Sequence, residues 1–186
     1  TLQQESVKRL GFRTKRAMQI AQKLYEGIDI DGQLTGLITY MRTDGIDIGK
    51  DAISAIRGFI ETEYGSEYAP GSPVVYKNKI KNAQEAHEAI RPTNFNLKPE
   101  SIKRFLDREQ YDLYELIWKR TIASQMQPAV INVVKVTVAS SDEVILARNS
   151  GSTIEFEGFY KILPPASKDE QFLPKLNKGE DVKLED

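Results

Sequence analysis

Gly36-Leu37-Ile38-Thr39-Tyr40-Met41-Arg42-Thr43-Asp44 changes character halfway along. Leu37, Ile38 and Tyr40 are apolar or aromatic and Thr39 is β-branched, so the first half predicts a short buried strand. The second half is polar, and Gly45 ends the run. In an extended segment Arg42 points to the same side as Tyr40, two residues earlier. A phenol is a nucleophile once deprotonated, and a guanidinium is a planar fork that matches phosphate oxygens. Together they suit chemistry on a phosphate. On spacing alone the ordinary reading is the stronger one. The chain has eight tyrosines, and most tyrosines pack their ring and wet their hydroxyl. Arg42 could equally pair with Asp44 at the surface.

Gln84-Glu85-Ala86-His87-Glu88-Ala89-Ile90-Arg91-Pro92-Thr93 is the second informative stretch, and it holds the only histidine. A lone histidine is usually a satisfied structural residue. Glu85 and Glu88 beside it would favour the protonated ring. Arg91 precedes a proline and is therefore expected in extended backbone. Its ordinary role would be to tie down its own loop.

Thr39 to Asp44 resembles the active-site tyrosine motif of type IA DNA topoisomerases. Met41 between Tyr40 and Arg42 is closer to the bacterial topoisomerase I branch than to the topoisomerase III branch, where proline is usual. Gln84 to Thr93 resembles the second signature of that family, in the same order and at a similar distance. Thr1 to Glu5 and Met18 to Gln22 are similar to it as well, so the resemblance spans most of the chain. One position departs: the family usually has serine after the aspartate, where this chain has Gly45.

Length and composition bound the rest. A chain of 186 residues can hold one good core or two small domains. The formal net charge is -1, so any nucleic-acid site must be a local patch rather than a basic module. Without cysteines there is no disulfide framework and no cysteine zinc site. No apolar run is long enough to cross a membrane, and no signal peptide is visible. The first residues lie directly in a helical pattern and the last follow strand-like residues. Both ends look cut, which suggests a fragment of a larger cytoplasmic protein.

The remaining elements are read in chain order. Thr1 to Leu10 predicts a short helix closed by Gly11, and Thr14 is the expected N-cap of the next. There Ala17, Met18, Ala21, Leu24 and Tyr25 form an apolar stripe, and Gly27 closes it. Lys8, Arg9, Arg13, Lys15, Arg16 and Lys23 stand against a single acid, Glu5. This is a solvated face or a helix-turn-helix-like DNA surface, and the resemblance favours the second. Residues 28–33 read as a turn; their faint likeness to a calcium loop lacks the later ligands. A helix is expected from Lys50 to Tyr64 with Ala52, Ile53, Ile56, Phe59 and Ile60 inward, then an irregular loop over 66–82 with alternating Lys77, Lys79 and Lys81. Pro99 opens a short helix. Asp107 to Gln110 resembles a capping box that starts a helix to about Met126, with Trp118 in its core stripe. From Val130 the pattern is β: Val130 to Val138, Val144 to Arg148 and Thr153 to Leu163, with turns at Ser140-Ser141-Asp142 and Asn149-Ser150-Gly151. Lys168 to Glu170 is a charged loop, and Asp181 to Glu185 alternates again.

The expected fold class is therefore α+β. Residues 1–126 form a helical domain carrying the tyrosine, and 127–186 form part of an antiparallel β domain. The resemblance implies a winged-helix, CAP-like domain followed by one portion of a split arch domain. It further implies that the full enzyme relaxes negatively supercoiled DNA without ATP. That enzyme cleaves one strand through a 5′-phosphotyrosine, passes another strand and reseals. Tyr40 is the implied nucleophile and Arg42 its catalytic partner. His87, Arg91 and Thr39 are implied DNA contacts. Magnesium would be held by acids of a Toprim domain outside these residues, with no metal site here. Single-stranded or negatively supercoiled DNA and the remaining domains of the same polypeptide are the implied partners. There is no membrane, and the location is the cytoplasm, at the nucleoid. Two other classes remain open on the residues themselves: a DNA-binding helical module without chemistry, and an interaction module. A tyrosine recombinase also uses Tyr, Arg and His, but with its tyrosine downstream of the histidine motif.

Overall fold

The computed structural model describes residues 1–76, 87–140, 142, 144–166 and 176–182. The expectations for Gln84, Glu85, Lys77, Lys79, Lys81 and the charged loop from Lys168 lie outside the described residues, as does most of the alternation from Asp181.

The elements are α1 (Leu2–Leu10), α2 (Thr14–Glu26), β1 (Ile28–Ile30), β2 (Gln33–Thr35), α3 (Lys50–Tyr64), α4 (Pro99–Ile102), α5 (Arg108–Ala123), β3 (Val130–Ala139) and β4 (Leu146–Phe156), with short 3-10 turns between some of them. The fold is mixed α and β, with two separate two-stranded antiparallel sheets. The chain divides into two compact units, Thr1–Gln127 and Pro128–Asp186.

In the first unit α5 is the hub: α1, α2, α3 and α4 all pack on it. Its composition explains why. Leu113, Tyr114, Leu116, Ile117, Trp118, Thr121 and Ile122 are buried, more of the circumference than one stripe would cover, as a helix surrounded by others requires. Its start is fixed by a reciprocal cap. The Asp107 carboxylate accepts the Gln110 amide at 2.8 Å, and the Gln110 side chain accepts the Asp107 amide at 2.9 Å. Trp118 is in the core, edge-on to Phe59 with ring centres 5.3 Å apart. On α2 the buried stripe is Ala17, Ile20, Ala21 and Leu24.

Several local expectations are corrected. Thr14 is the first helical residue of α2, and Arg13 holds the cap position without a side-chain cap bond. Tyr25 leaves the buried stripe and is exposed; it is one residue past Leu24, a rotation of about 100° around the helix. Residues 28–35 are a hairpin rather than a bare turn. Asp31 and Gly32 both have positive φ, which suits the right-handed twist of a two-residue hairpin turn.

In the second unit β3 pairs with β4 over ten residues, with a bulge between Val130 and Ile131. The turn expected at Asn149-Ser150-Gly151 is absent, because β4 runs straight through it. Cross-strand pairing with Val136, Lys135 and Val134 satisfies those three polar or small residues in extended form. The strand expected over Thr153 to Leu163 ends at Phe156 and gives way to a 3-10 turn over Gly158–Lys161.

Candidate active site

The hairpin after α2 returns the chain to the end of that helix. The Leu37 amide donates to the Leu24 carbonyl at 2.7 Å, satisfying an acceptor that the helix end would leave open. Gly36 makes this approach possible, since a Cβ there would sit 2.9 Å from the Tyr25 carbonyl oxygen. Leu37 and Ile38 then enter the core and are fully buried.

From Gly36 onward the chain is laced to the segment after His87. Ile38 bridges Pro92 in antiparallel fashion. The Thr93 amide donates to Leu37 at 3.0 Å and the Thr39 amide to Arg91 at 2.9 Å. The Thr93 hydroxyl donates to the Gly36 carbonyl at 2.7 Å. The Ala89 amide donates to the Asp47 carbonyl at 2.8 Å. Two stretches some fifty residues apart in sequence thus run side by side, and each offers its exposed side chains to the same surface.

This brings Tyr40 and His87 together, with ring centres 5.4 Å apart and planes tilted by 38°. Tyr40 is 36% exposed. Met41 is buried while Tyr40 and Arg42 on either side of it are exposed. The short strand expected over Leu37 to Tyr40 is reduced to the single bridge at Ile38, and the chain bends at Thr39, Met41 and Arg42. Arg42 is exposed and makes no hydrogen bond or ion pair with a described residue. The guanidinium is therefore open to an incoming anion.

The other two residues singled out from the sequence are occupied within the protein. The Thr39 hydroxyl donates to the Ala89 carbonyl at 2.7 Å and accepts the Arg91 amide at 2.9 Å. Arg91 donates to Glu88 at 2.6 Å and to the Pro92 carbonyl at 2.9 Å. Its Nε is buried without a partner among the described residues. Glu88 is thereby engaged by Arg91, which lies three residues on.

Sequence reasoning missed Tyr25. Its ring meets that of Tyr40 edge-on, with centres 5.4 Å apart and planes at 68°. The available signal was its position one residue past the stripe that ends at Leu24. A cleft of about 760 Å³ lies beside α3, lined by Ile48, Ile53, Arg57 and Tyr76 among others, and includes none of Tyr40, Arg42 or His87. Tyr40 itself is part-exposed between the rings of Tyr25 and His87. Among the described residues no three or more of His, Asp and Glu converge as a metal-binding group would. No helix of the described residues is long and apolar enough to cross a membrane.

The family model for DNA topoisomerase matches residues 1–186. The chain belongs to this family. DNA topoisomerase 1 of Rickettsia bellii is 52% identical over 191 residues, covering all of this chain and 24% of that protein. DNA topoisomerase 1 of Xylella fastidiosa strain Temecula1 is 46% identical over 194 residues, again all of this chain and 24% of the relative. Full-length topoisomerase I from Thermotoga maritima has the same fold over 98% of this chain and 28% of its own, at 34% identity and a TM-score of 0.74. The chain thus spans about a quarter of the length of the relatives it matches.

Proposed function

We propose that this chain is the part of a type IA topoisomerase that carries the nucleophile, and that Tyr40 is that nucleophile. The observation that carries the reading is the meeting of Tyr40 with His87, 5.4 Å ring to ring, on a surface where Arg42 stands open. The Tyr40 hydroxyl oxygen attacks a DNA backbone phosphorus, loses its proton, and forms an ester with the 5′ phosphate. The bond from phosphorus to the 3′ oxygen breaks, and that oxygen takes up a proton. The reverse attack restores the strand, so bond energy is stored and no ATP is consumed. Arg42 offsets charge that builds on the phosphoryl oxygens, and His87 contacts the phosphate from beside the attacking ring. Arg91 and Thr39 act at one remove, holding the His87 segment against the Tyr40 segment, and their part in DNA binding is through that support.

In the whole protein, magnesium belongs to an acidic Toprim domain, and the residues described here offer no set of acids to hold it. The substrate is single-stranded or negatively supercoiled DNA, in the cytoplasm at the nucleoid, and the partners are the other domains of the same polypeptide. Residues 1–126 form the tyrosine-bearing domain and 127–186 one portion of a split arch. Exposed Val133 and Ile154 on the hairpin fit a sheet that is completed elsewhere in the polypeptide.

The test is Tyr40→Phe in the full-length protein. It removes one oxygen, so folding and DNA binding should survive while covalent protein–DNA adducts and relaxation disappear. Relaxation at the unmutated rate would overturn the reading, and would leave a DNA-binding module without chemistry as the better one.

A further inference from the structure

We propose that Tyr25 is a positioning residue for the Tyr40 nucleophile: its ring, at the end of α2, fixes the orientation of the Tyr40 ring. The proposal rests on the reading of Tyr40 as nucleophile.

The backbone around Tyr40 is held on both sides. Thr39 is tied to Ala89 and Arg91 by hydrogen bonds, and Met41 is buried. The Tyr40 side chain has no such restraint from its own segment. It stands part-exposed, where an aromatic side chain otherwise samples several staggered rotamers. In-line attack on phosphorus tolerates little of that freedom, since a misplacement of about 1 Å can cost about a hundredfold in rate.

Two rings supply the missing restraint. His87 and Tyr25 each lie 5.4 Å from the Tyr40 ring centre. His87 is itself exposed and sits where the phosphate is expected. Tyr25 has a different foundation. Its helix end is joined to the tyrosine segment by the bond from the Leu37 amide to Leu24. Gly36 admits the Tyr25 carbonyl at a distance that any side chain would block. The end of α2 that carries Tyr25 is thereby tied to the segment that carries Tyr40. The contact is edge-to-face at 68°, the geometry in which the positive rim of one ring meets the negative face of the other. A residue 42% exposed and turned off the buried stripe of its own helix has little to contribute to the core. The aromatic ring it meets is that of Tyr40.

The contact uses the ring and not the Tyr25 hydroxyl, so phenylalanine should serve and leucine should not. Tyr25→Phe, Tyr25→Leu and Tyr25→Ala are made in the full-length protein. Single-turnover cleavage of an end-labelled single-stranded oligonucleotide is measured beside its dissociation constant. Tyr25→Phe is expected within about twofold of the unmutated rate. Tyr25→Leu and Tyr25→Ala should cleave about tenfold more slowly or worse, with oligonucleotide affinity unchanged within about twofold, because orientation and not binding is lost. The leucine protein keeps the test open should alanine impair folding. Unchanged cleavage in Tyr25→Leu, a loss in Tyr25→Phe as deep as in alanine, or a loss that follows weakened oligonucleotide binding would each overturn the proposal. Tyr40→Phe runs alongside. If it still forms covalent adducts, the reading of Tyr40 fails; if adducts vanish while Tyr25→Leu cleaves normally, the role of Tyr25 alone fails.

Discussion

Thr39 and Arg91 hold each other by two reciprocal hydrogen bonds. The Thr39 amide donates to the Arg91 carbonyl at 2.9 Å, and the Arg91 amide donates to the Thr39 hydroxyl at 2.9 Å. The same hydroxyl donates onward to Ala89 at 2.7 Å. One side chain, adjacent to Tyr40, thus closes the seam that brings His87 alongside.

Replacing Thr39 by valine keeps the shape and removes both bonds of the hydroxyl. The part-buried Arg91 amide and Ala89 carbonyl lose that partner. The expected cost is about 1–3 kcal/mol, read as a lower denaturant midpoint. Cleavage should fall as well, because the His87 segment loosens. Thr39→Ser retains the hydroxyl and should recover most of both. Valine and threonine proteins with equal midpoints would show that the seam is held elsewhere.

Arg42 offers a different expectation, because nothing among the described residues depends on it. Arg42→Ala should leave the denaturant midpoint unchanged within about 0.5 kcal/mol, as for an ordinary surface change. Cleavage should slow by roughly a hundredfold, equivalent to about 3 kcal/mol of lost transition-state contact. Arg42→Lys should recover only part, since a point charge cannot supply two parallel bonds to a phosphate. A rate loss in alanine that lysine restores in full would argue against a two-pronged contact.

At Gly45 this chain departs from the serine usual in the family it resembles. An added Cβ would overlap the His87 carbonyl oxygen and lie 3.1 Å from that of Glu88. Both obstacles are main chain and cannot swing aside. Gly45→Ala should therefore part the loop from the His87 segment and break the bond from the Ala89 amide to Asp47. The cost should be about 1–3 kcal/mol, as for other overpacked sites, with slower cleavage. Gly45→Ser carries the same Cβ and should behave alike. Unchanged melting and cleavage in both would show that the two segments are not this close.

The helices were legible because their signals are local. The reciprocal cap at Asp107 and Gln110, the α5 stripe and the change of period at Pro128 can each be read within a few residues. Tyr40, Arg42 and His87 were grouped from the sequence only through a resemblance, since nothing in the composition joins positions 40 and 87; the structure brings Tyr40 and His87 together. The lacing that joins them is main-chain hydrogen bonding and leaves no side-chain pattern. Tyr25 was misread because a phenol at helical spacing looks apolar; its exposure depends on which side of Leu24 the helix turns. The turn assigned at Asn149-Ser150-Gly151 followed ordinary turn chemistry. The β3 ladder overrode it, because unbroken pairing satisfies every backbone group along β4.

Tyr114 gives the last prediction, on stability against pH. Its ring is fully buried in α5, and its hydroxyl donates to the Leu97 carbonyl at 2.8 Å. Burial pushes its pKa well above the ordinary 10.0, because the phenolate would lose its hydration. Burial also raises Tyr76, partly opposed by the charge of Arg120. Burial raises Tyr111 too, and Glu115 adds to the effect. The unfolded chain releases these protons near pH 10, whereas the folded chain keeps them to higher pH. Between the two values the folded state binds more protons, so stability falls as pH rises above about 10, by up to about 1.4 kcal/mol per unit for the buried Tyr114, while the part-exposed Tyr76 and Tyr111 act in the same direction but are screened by solvent. Below pH 9 these phenols should contribute no slope. Tyr114→Phe keeps the ring, leaves the Leu97 carbonyl without its partner, and should cost about 1 kcal/mol at pH 7. It also removes one group from the alkaline limb, so its stability should approach that of the unmutated protein as pH climbs from 10 to 11. Denaturant midpoints at pH 7, 9, 10 and 11 would measure this. Parallel curves for the two proteins would mean that Tyr114 does not resist ionisation in the folded state.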